Sequence, residues 1–427
     1  VSTNLPEARS TAELISDCVH CGFCLPVCPT YRSWGLEMDS PRGRIDLMKG
    51  IAEGAIALDE RAVAHFDACL GCMACVPACP SGVRYDLLIE STRAGVQAEY
   101  SRSAGDRAFR ELIFALFPHP SRLRAVAFPL FLYARSGLKR AVERTGLLAR
   151  LPRRLAQLAS LAPKLGPSDL LRGLPVFTPA RGTRRGSVAL ISGCVQRVFF
   201  PSVNRATLRV LSAEGFDVTV PRGQGCCGAL SLHVGRDGEA REMARALIER
   251  FESAGPFDVV LINAAGCGSA LKQYGELFSA DDAWRERATA FAAKIKDINE
   301  FLAGKATVAE RRPLPLRVAY HDACHLAAAQ GIREQPRALL RGVAGLELLE
   351  IPGAESCCGS AGVYNLLQPE SAAEIGARKA ADVLSTGADV LVSANPGCTL
   401  QIRSILAKAG VDLPAAHPVE ILDAALA

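Results

Sequence analysis

The chain of 427 residues has no long hydrophobic run. Its longest apolar stretch in the middle, AVAFPLFLYA, is about half of the roughly 20 residues that a membrane-spanning helix requires, so no span is predicted. The first residues, VSTNLPEARSTAEL, contain no apolar core of a secretory leader. A disulfide-rich secreted protein is therefore not expected, that class being short as well as carrying a leader. The G-x-G-x-x-G spacing of a dinucleotide loop is missing, GCGSALKQYG matching it only weakly. No Ser/His/Asp arrangement is legible, and no signature for flavin or nicotinamide. Cysteine is absent from the whole interval between Cys79 and Cys194.

Elsewhere cysteine is abundant. With 49% hydrophobic and 22% charged residues the chain reads as a folded multidomain protein, and its 16 cysteines as reduced thiols free to bind metal. Eight of them form two similar runs, CVHCGFCLPVCP from Cys18 and CLGCMACVPACP from Cys69. A C-x2-C-x2-C loop can fold around a cubane cluster so that three sulfurs reach three irons. The fourth iron then needs a distant ligand, which in two-cluster bacterial ferredoxins is the last cysteine of the other run. This spacing assigns one [4Fe-4S] cluster to Cys18, Cys21, Cys24 and Cys79, and a second to Cys69, Cys72, Cys75 and Cys28. Zinc is the alternative, but zinc sites pair two C-x2-C knuckles and have no use for a third cysteine at the same step. Pro29 and Pro80 turn the chain away, and Gly22 and Gly71 are expected to relieve crowding beside the clusters.

The other eight cysteines form a repeat. Cys194, Cys226, Cys227 and Cys267 are matched by Cys324, Cys357, Cys358 and Cys398, at an offset of 130 residues for the first pair and 131 for the others. GQGCCGAL answers AESCCGSAG, and INAAGCGSAL answers SANPGCTLQI, which indicates a duplicated domain. In each copy strand-like runs lead into the cysteines (SVALISGC, FDVTVPRGQGCCG and FDVVLINAAGC; then LRVAYHDAC, LELLEIPGAESCCG and ADVLVSANPGC), with helical segments such as GEAREMARALIERFES between runs. That alternation predicts parallel sheets with right-handed crossovers. All the cysteines then fall beyond the carboxyl ends of strands, where ligands collect in such sheets. A lone buried cysteine is usually a small hydrophobe; four in one crevice, twice, read as metal or redox sites. His321 and His325 flank Cys324, as ligands, as a proton relay, or as packing and hydrogen-bonding residues, the reading preferred from sequence.

The fold class is accordingly a multidomain α+β and α/β chain: a helical two-cluster ferredoxin-type domain at 1–100, a basic helical connecting region at 101–185, and two cysteine-rich α/β domains at 186–305 and 314–427. Between the first two cysteine runs, MDSPRGRIDLMKGIAEG predicts a turn and a helix with Ser40 as N-cap and Pro41 as first helical residue. Arg42 and Arg44 there read either as tuning a cluster or gripping a partner, or as ordinary surface ion pairs. Residues 102–185 hold 17 Lys and Arg against 4 Asp and Glu. Arginine alternates there with aliphatic and aromatic residues at helix-like spacing, which suits docking on anionic lipid or an acidic partner subunit, Arg135, Lys139, Arg140 and Arg144 being the positions singled out. A solvated linker is the plain alternative, and nucleic acid is not expected.

Together, two C-x2-C-x2-C-x3-C-P runs and two copies of a C…CCG…C domain resemble the iron-sulfur subunits of bacterial glycolate oxidases, with CPTY, PRGRI, CPSGVRY and CCGSAGVYNL favouring that group among its relatives. Those relatives include lactate-utilisation proteins and the CCG-containing subunits of anaerobic glycerol-3-phosphate dehydrogenase and of heterodisulfide reductase. The resemblance implies an electron-transfer subunit of a glycolate or similar 2-hydroxy-acid oxidase complex. It implies an FAD-bearing subunit and a second flavin-type subunit as partners, a quinone as acceptor, and a cytoplasmic place, peripheral on the inner face of the membrane. The alternatives are a glycerol-3-phosphate or D-lactate dehydrogenase subunit, or an enzyme reducing a disulfide by itself. In heterodisulfide reductase the CCG domain ends in C-x2-C and holds a non-cubane cluster on five cysteines. Here Ala264 and Asn395 stand where the extra cysteine would be, leaving a four-cysteine [4Fe-4S] cluster, zinc or an empty pocket for each copy, with the cluster preferred.

Overall fold

The computed structural model describes residues 10–135, 154, 157–158, 173–279 and 282–427. Its first part is built from helices: Thr11–Ser16, Pro29–Trp34, Pro41–Ala52, Glu60–Ala68, Tyr85–Glu99, Ala104–Leu116 and Pro120–Arg135. Local chemistry sets their starts. Ser40 accepts a hydrogen bond from the Gly43 amide with Pro41 in the first turn, as the sequence predicts, and Asp59 does the same for the Ala62 amide. Leu14, Ile45, Phe66, Leu88 and Ile89 form the core, and Cys69 and Cys75 pack directly on it. The cysteine loops are thus seated on rigid helical packing.

Two sheets follow, one per repeat. The first joins β1 (Phe177–Thr178), β2 (Gly186–Ile191), β3 (Phe216–Thr219), β4 (Val260–Ile262) and β5 (Ile295–Asp297) in the order β1-β3-β2-β4-β5. The second joins β6 (Leu316–His321), β7 (Leu346–Glu350), β8 (Val390–Ser393) and β9 (Ala415–Ala416) in the order β7-β6-β8-β9. Apart from β1, which runs antiparallel to β3, all pairings are parallel. The parallel sheets expected from the strand-helix alternation are present, and β2 and β6 have the same burial pattern at the same offset as Cys194 and Cys324. β1, β5 and β9 lie outside the strand runs read from the sequence; at two or three residues they are too short to carry a period-two signal.

The copies are locked together by two helices that each pack on both. Helix Ile298–Ala303, after β5, packs on Glu334–Arg341 of the second copy, while Pro418–Ala424, after β9, packs on Pro201–Ala213 of the first. Ile298, Phe301, Val419 and Leu422 join Val203, Leu211 and Leu339 in one core. The Ala265 amide, just past β4, donates to the Ala394 carbonyl just past β8. The carboxyl ends of β4 and β8 therefore face one junction.

Candidate metal centres

Residues 18–28 and 69–79 have the same backbone. In each, the two residues flanking the middle cysteine take positive φ: His20 (54°) and Gly22 (86°) around Cys21, Gly71 (60°) and Met73 (60°) around Cys72. The turns after them repeat as well, Leu25 to Gly22 and Cys28 to Leu25 being answered by Val76 to Met73 and Cys79 to Val76. Left-handed residues on both sides of the middle cysteine wind the loop so that its thiols converge. Each loop has a glycine at only one of these positions, and not the same one. Gly22 and Gly71 are thus not equivalents, and His20 and Met73 adopt the uncommon conformation without a glycine's freedom.

The thiols line two neighbouring clefts, with Cys75 on both. Cys18, Cys21 and Cys24 line one cleft with Cys75 and Cys79. Cys28 lines a neighbouring cleft with Cys69, Cys72 and Cys75. The first set opens to solvent, Cys21 being exposed beside the exposed Val19 and Phe23, while the four thiols of the second are buried. Burial pushes the Cys72 and Cys75 thiols well above the ordinary thiol range. Cys69 goes the other way: burial raises it, but the Arg44 and Arg93 guanidiniums outweigh burial and hold it below that range. Arg44 is no surface pair. It is 1% exposed, ion-paired with Asp39, and donates to the His65 and Asp39 carbonyls and to Thr30, whose hydroxyl touches Cys28 Sγ at 3.2 Å. Arg42 is the half-exposed one, bound to Glu37 and to the His20 carbonyl.

In the repeats every cysteine lies beyond the carboxyl end of a parallel strand. Cys194 follows β2, Cys226 and Cys227 follow β3, and Cys267 follows β4. Their thiols run in a row, with Cys194 and Cys226 sulfurs 3.4 Å apart, Cys226 against Cys227, and Cys227 against Cys267. Cys324, Cys357, Cys358 and Cys398, after β6, β7 and β8, form a second row with the same contacts. Gly228 and Gly359, with φ of 80° and 82°, follow the two CC pairs and let the chain approach the next helix.

The second row meets the ferredoxin-type domain. Cys72 shares a buried apolar cluster with Cys324, Cys357 and Tyr364, and the Tyr364 hydroxyl donates to the Ala68 carbonyl next to Cys69. Sequence reasoning missed this junction, and also Arg93, which donates to the Cys69 and His233 carbonyls and so ties the first domain to the first repeat. Helical periodicity can mark Arg93 only as a charge on a helix. His321 is buried, and neither of its ring nitrogens has a hydrogen-bond partner. Burial, aided by the Lys379 charge, pushes its pKa down to about 3. His325 Nδ1 lies 3.4 Å from Cys324 Sγ, and its ring sits 5.0 Å from that of His233.

Arg337 positions the turn that carries Cys324. Buried, it makes a bidentate pair with Asp322 at 2.8 and 2.7 Å and a second with Glu350. Removing one partner of a buried pair costs about 3–5 kcal/mol, because the other charge stays uncompensated. Arg337→Met is therefore expected to lower stability by about that amount, with Asp322→Asn added to it recovering part. Urea unfolding followed by circular dichroism checks this; an unchanged midpoint in Arg337→Met would show the pair to be dispensable.

Family comparisons agree with this layout along the chain. A 4Fe-4S dicluster domain matches residues 14–83, a cysteine-rich domain matches 188–272 and again 318–403, and the linker region of the glycolate oxidase iron-sulfur subunit matches 105–162. The chain is 39% identical to the probable glycolate oxidase iron-sulfur subunit of Bacillus subtilis, over 99% of this chain and 96% of that one. It belongs to the glycolate oxidase iron-sulfur subunit family. The glycolate oxidase iron-sulfur subunit of Escherichia coli is 32% identical over 98% of this chain and 96% of its own length. A fumarate reductase (CoM/CoB) subunit of Methanothermobacter marburgensis is 33% identical over 58% of this chain and 48% of that one.

Within the family's linker region Arg110 pairs with Asp67 and Asp106, and Arg154 pairs with Asp106, while Arg107, Arg122 and Arg124 are exposed; Arg102, just before the region, also pairs with Asp67. Lys139, Arg140, Arg144 and the side chain of Arg135 lie outside the described residues. Leu112, Val126 and Phe128 are exposed on the two linker helices. Among the described residues no helix is long and apolar enough to cross a membrane.

Proposed function

We propose that this chain is the electron-transfer subunit of a flavin-dependent glycolate oxidase complex, with Cys18, Cys21, Cys24 and Cys79 holding one [4Fe-4S] cluster and Cys28, Cys69, Cys72 and Cys75 another. The thiol-only donor sets and the left-handed turns that gather them suit such clusters. When bound, a cluster takes up and releases single electrons at a potential set by charge and hydrogen bonds around its sulfurs. The four cysteines of each repeat form further sites, of which the second is the next station after the buried set.

The observation that carries this reading is the shared packing of Cys72 with Cys324 and Cys357. It brings three thiol sets into sequence: one at the surface beside Val19 and Phe23, one buried, one in the second repeat. Val19 and Phe23 offer the apolar contact at which an FAD-bearing subunit, and with it a second flavin-type subunit, can place its redox group near Cys21. The protein's own residues then exclude water, through the core around Cys69 and Cys75, and fix the thiols. Glycolate as the substrate follows from the names of the relatives, and a quinone is the acceptor this arrangement would serve. The exposed Leu112, Val126 and Phe128, with the basic residues near them, are the surface through which the linker helices would touch an anionic membrane.

Anaerobic spectroscopy of the co-purified complex tests this. Glycolate should bleach the flavin absorption and then the iron-sulfur absorption of the complex, and should leave the isolated chain unchanged. Turnover of a disulfide by the isolated chain with a chemical reductant would instead make it an enzyme in its own right.

A further inference from the structure

The two thiol rows are alike in their cysteines and unlike in what surrounds them. At the last residue of the central strand the first copy has Ile191 and the second His321. One residue after the first cysteine, Val195 is matched by His325. Three residues before the last cysteine, Ala264 is matched by Asn395, whose side-chain amide donates to Cys398 Sγ at 3.4 Å. The helix that follows the CC pair is apolar on its buried face in the first copy, with Ala244, Leu247 and Ile248. In the second it buries Lys379, whose ammonium is capped by the Gly353 and Ala354 carbonyls.

His321 is the decisive difference. It is 1% exposed, and both ring nitrogens lack a hydrogen-bond partner. A buried polar group without a partner is costly and rare. A ring nitrogen of His321 and the sulfurs of Cys358 and Cys398 all lie within 4.8 Å of one another, the one such group of three metal-binding side chains among the described residues. Donors that close together can share a single metal ion. The remaining thiols, Cys357 and Cys324, continue the row away from it toward Cys72. Five donors in all exceed the four of a tetrahedral zinc site and suit a polynuclear centre, and imidazole is an accepted iron ligand.

We propose that His321 is a ligand of an iron-sulfur cluster held by Cys324, Cys357, Cys358 and Cys398, so that the second repeat carries a mixed Cys/His centre and the first, with Ile191 in that place, does not. The inference rests on the reading that the repeats hold clusters. As a neutral fifth donor beside four thiolates, the imidazole adds no negative charge where a further thiolate would, so the reduction potential stays above that of an all-thiolate set, in the sense in which His ligation raises it in Rieske centres. Lys379 and the hydrogen bond from Asn395 act in the same direction. The second-repeat centre is thereby the electron sink among the cysteine sites, next to the buried ferredoxin-type set.

Full-length protein labelled with 15N-histidine, prepared anaerobically and examined by pulsed EPR, provides the test. A strongly coupled histidine nitrogen is expected in the wild type. His321→Cys should keep the iron, lose that coupling and lower the potential of the affected centre. His321→Ile, which copies the first repeat, should lose the coupling while the two ferredoxin-type signals stay. Iron retained with no coupled nitrogen in the wild type, coupling that survives His321→Cys, or zinc in place of iron would each overturn the proposal. Iron content unchanged by Cys358→Ser and by Cys398→Ser would instead overturn the reading beneath it, that this repeat holds a cluster.

Discussion

Cys28→Ser is expected to damage the cluster assigned to Cys69, Cys72 and Cys75, more than 40 residues further along the chain, and to spare that of its near neighbours Cys18, Cys21 and Cys24. The reason is geometric. Cys28 sits before Pro29 at the start of helix Pro29–Trp34, which carries its thiol away from the loop it closes and into the cleft of the other run. There it is 6% exposed, in contact with Thr30 Oγ1 and with the Asp39 carbonyl. Cys79 makes the reciprocal move into the cleft of Cys18, Cys21 and Cys24. A serine oxygen is a harder and poorer ligand for cluster iron than a thiolate. The loss should therefore approach one whole cluster, about half of the N-terminal iron. In EPR and iron analysis Cys28→Ser should match Cys69→Ser, and Cys79→Ser should match Cys18→Ser. If Cys28→Ser instead matched Cys18→Ser, each run would hold its own cluster and the crossed assignment would be wrong.

What the sequence makes legible here is what local spacing determines. The C-x2-C-x2-C steps, the offset between Cys194 and Cys324, and the strand runs leading into each cysteine all depend on neighbours within a few residues. They lead to the two loops, the parallel sheets and the row of thiols beyond the strand ends. Arg44 shows where such reasoning stops: from spacing it stays open between tuning a cluster or gripping a partner and a surface ion pair, and its burial follows from Asp39, Thr30 and the His65 carbonyl closing around it. His321 is similar. As the last residue of a buried strand it reads as packing, and only the meeting of β6 with the loops after β7 and β8 places it beside Cys358 and Cys398. The bridging of the copies by helices 298–303 and 418–424, each of which packs on both, is invisible for the same cause, since an apolar helix face does not say how many partners it has.

Arg44 also gives a large and separable effect on the buried cluster. Its five donor contacts fix the turn at Asp39 and the Thr30 hydroxyl against Cys28, and its charge acts on Cys69. Two unit charges roughly 8 Å apart at an effective dielectric constant near 20 interact by about 2 kcal/mol. For a one-electron couple that corresponds to roughly 90 mV. Arg44→Met removes positive charge beside thiolates and so disfavours the added electron, which should lower the potential of the buried cluster by that order. The same change leaves Asp39 buried with only the His65 ring as an ionic partner, at a cost of about 3–5 kcal/mol. Arg44→Lys separates the two contributions: the ammonium keeps the charge and most of the potential, but a lysine cannot reproduce the planar fork that reaches His65, Thr30 and Asp39 together, so only part of the stability returns. Redox titration followed by EPR, with iron content measured on the same samples, tells these apart. An Arg44→Met protein that retains its iron and titrates at the wild-type potential would leave Arg44 a purely structural role.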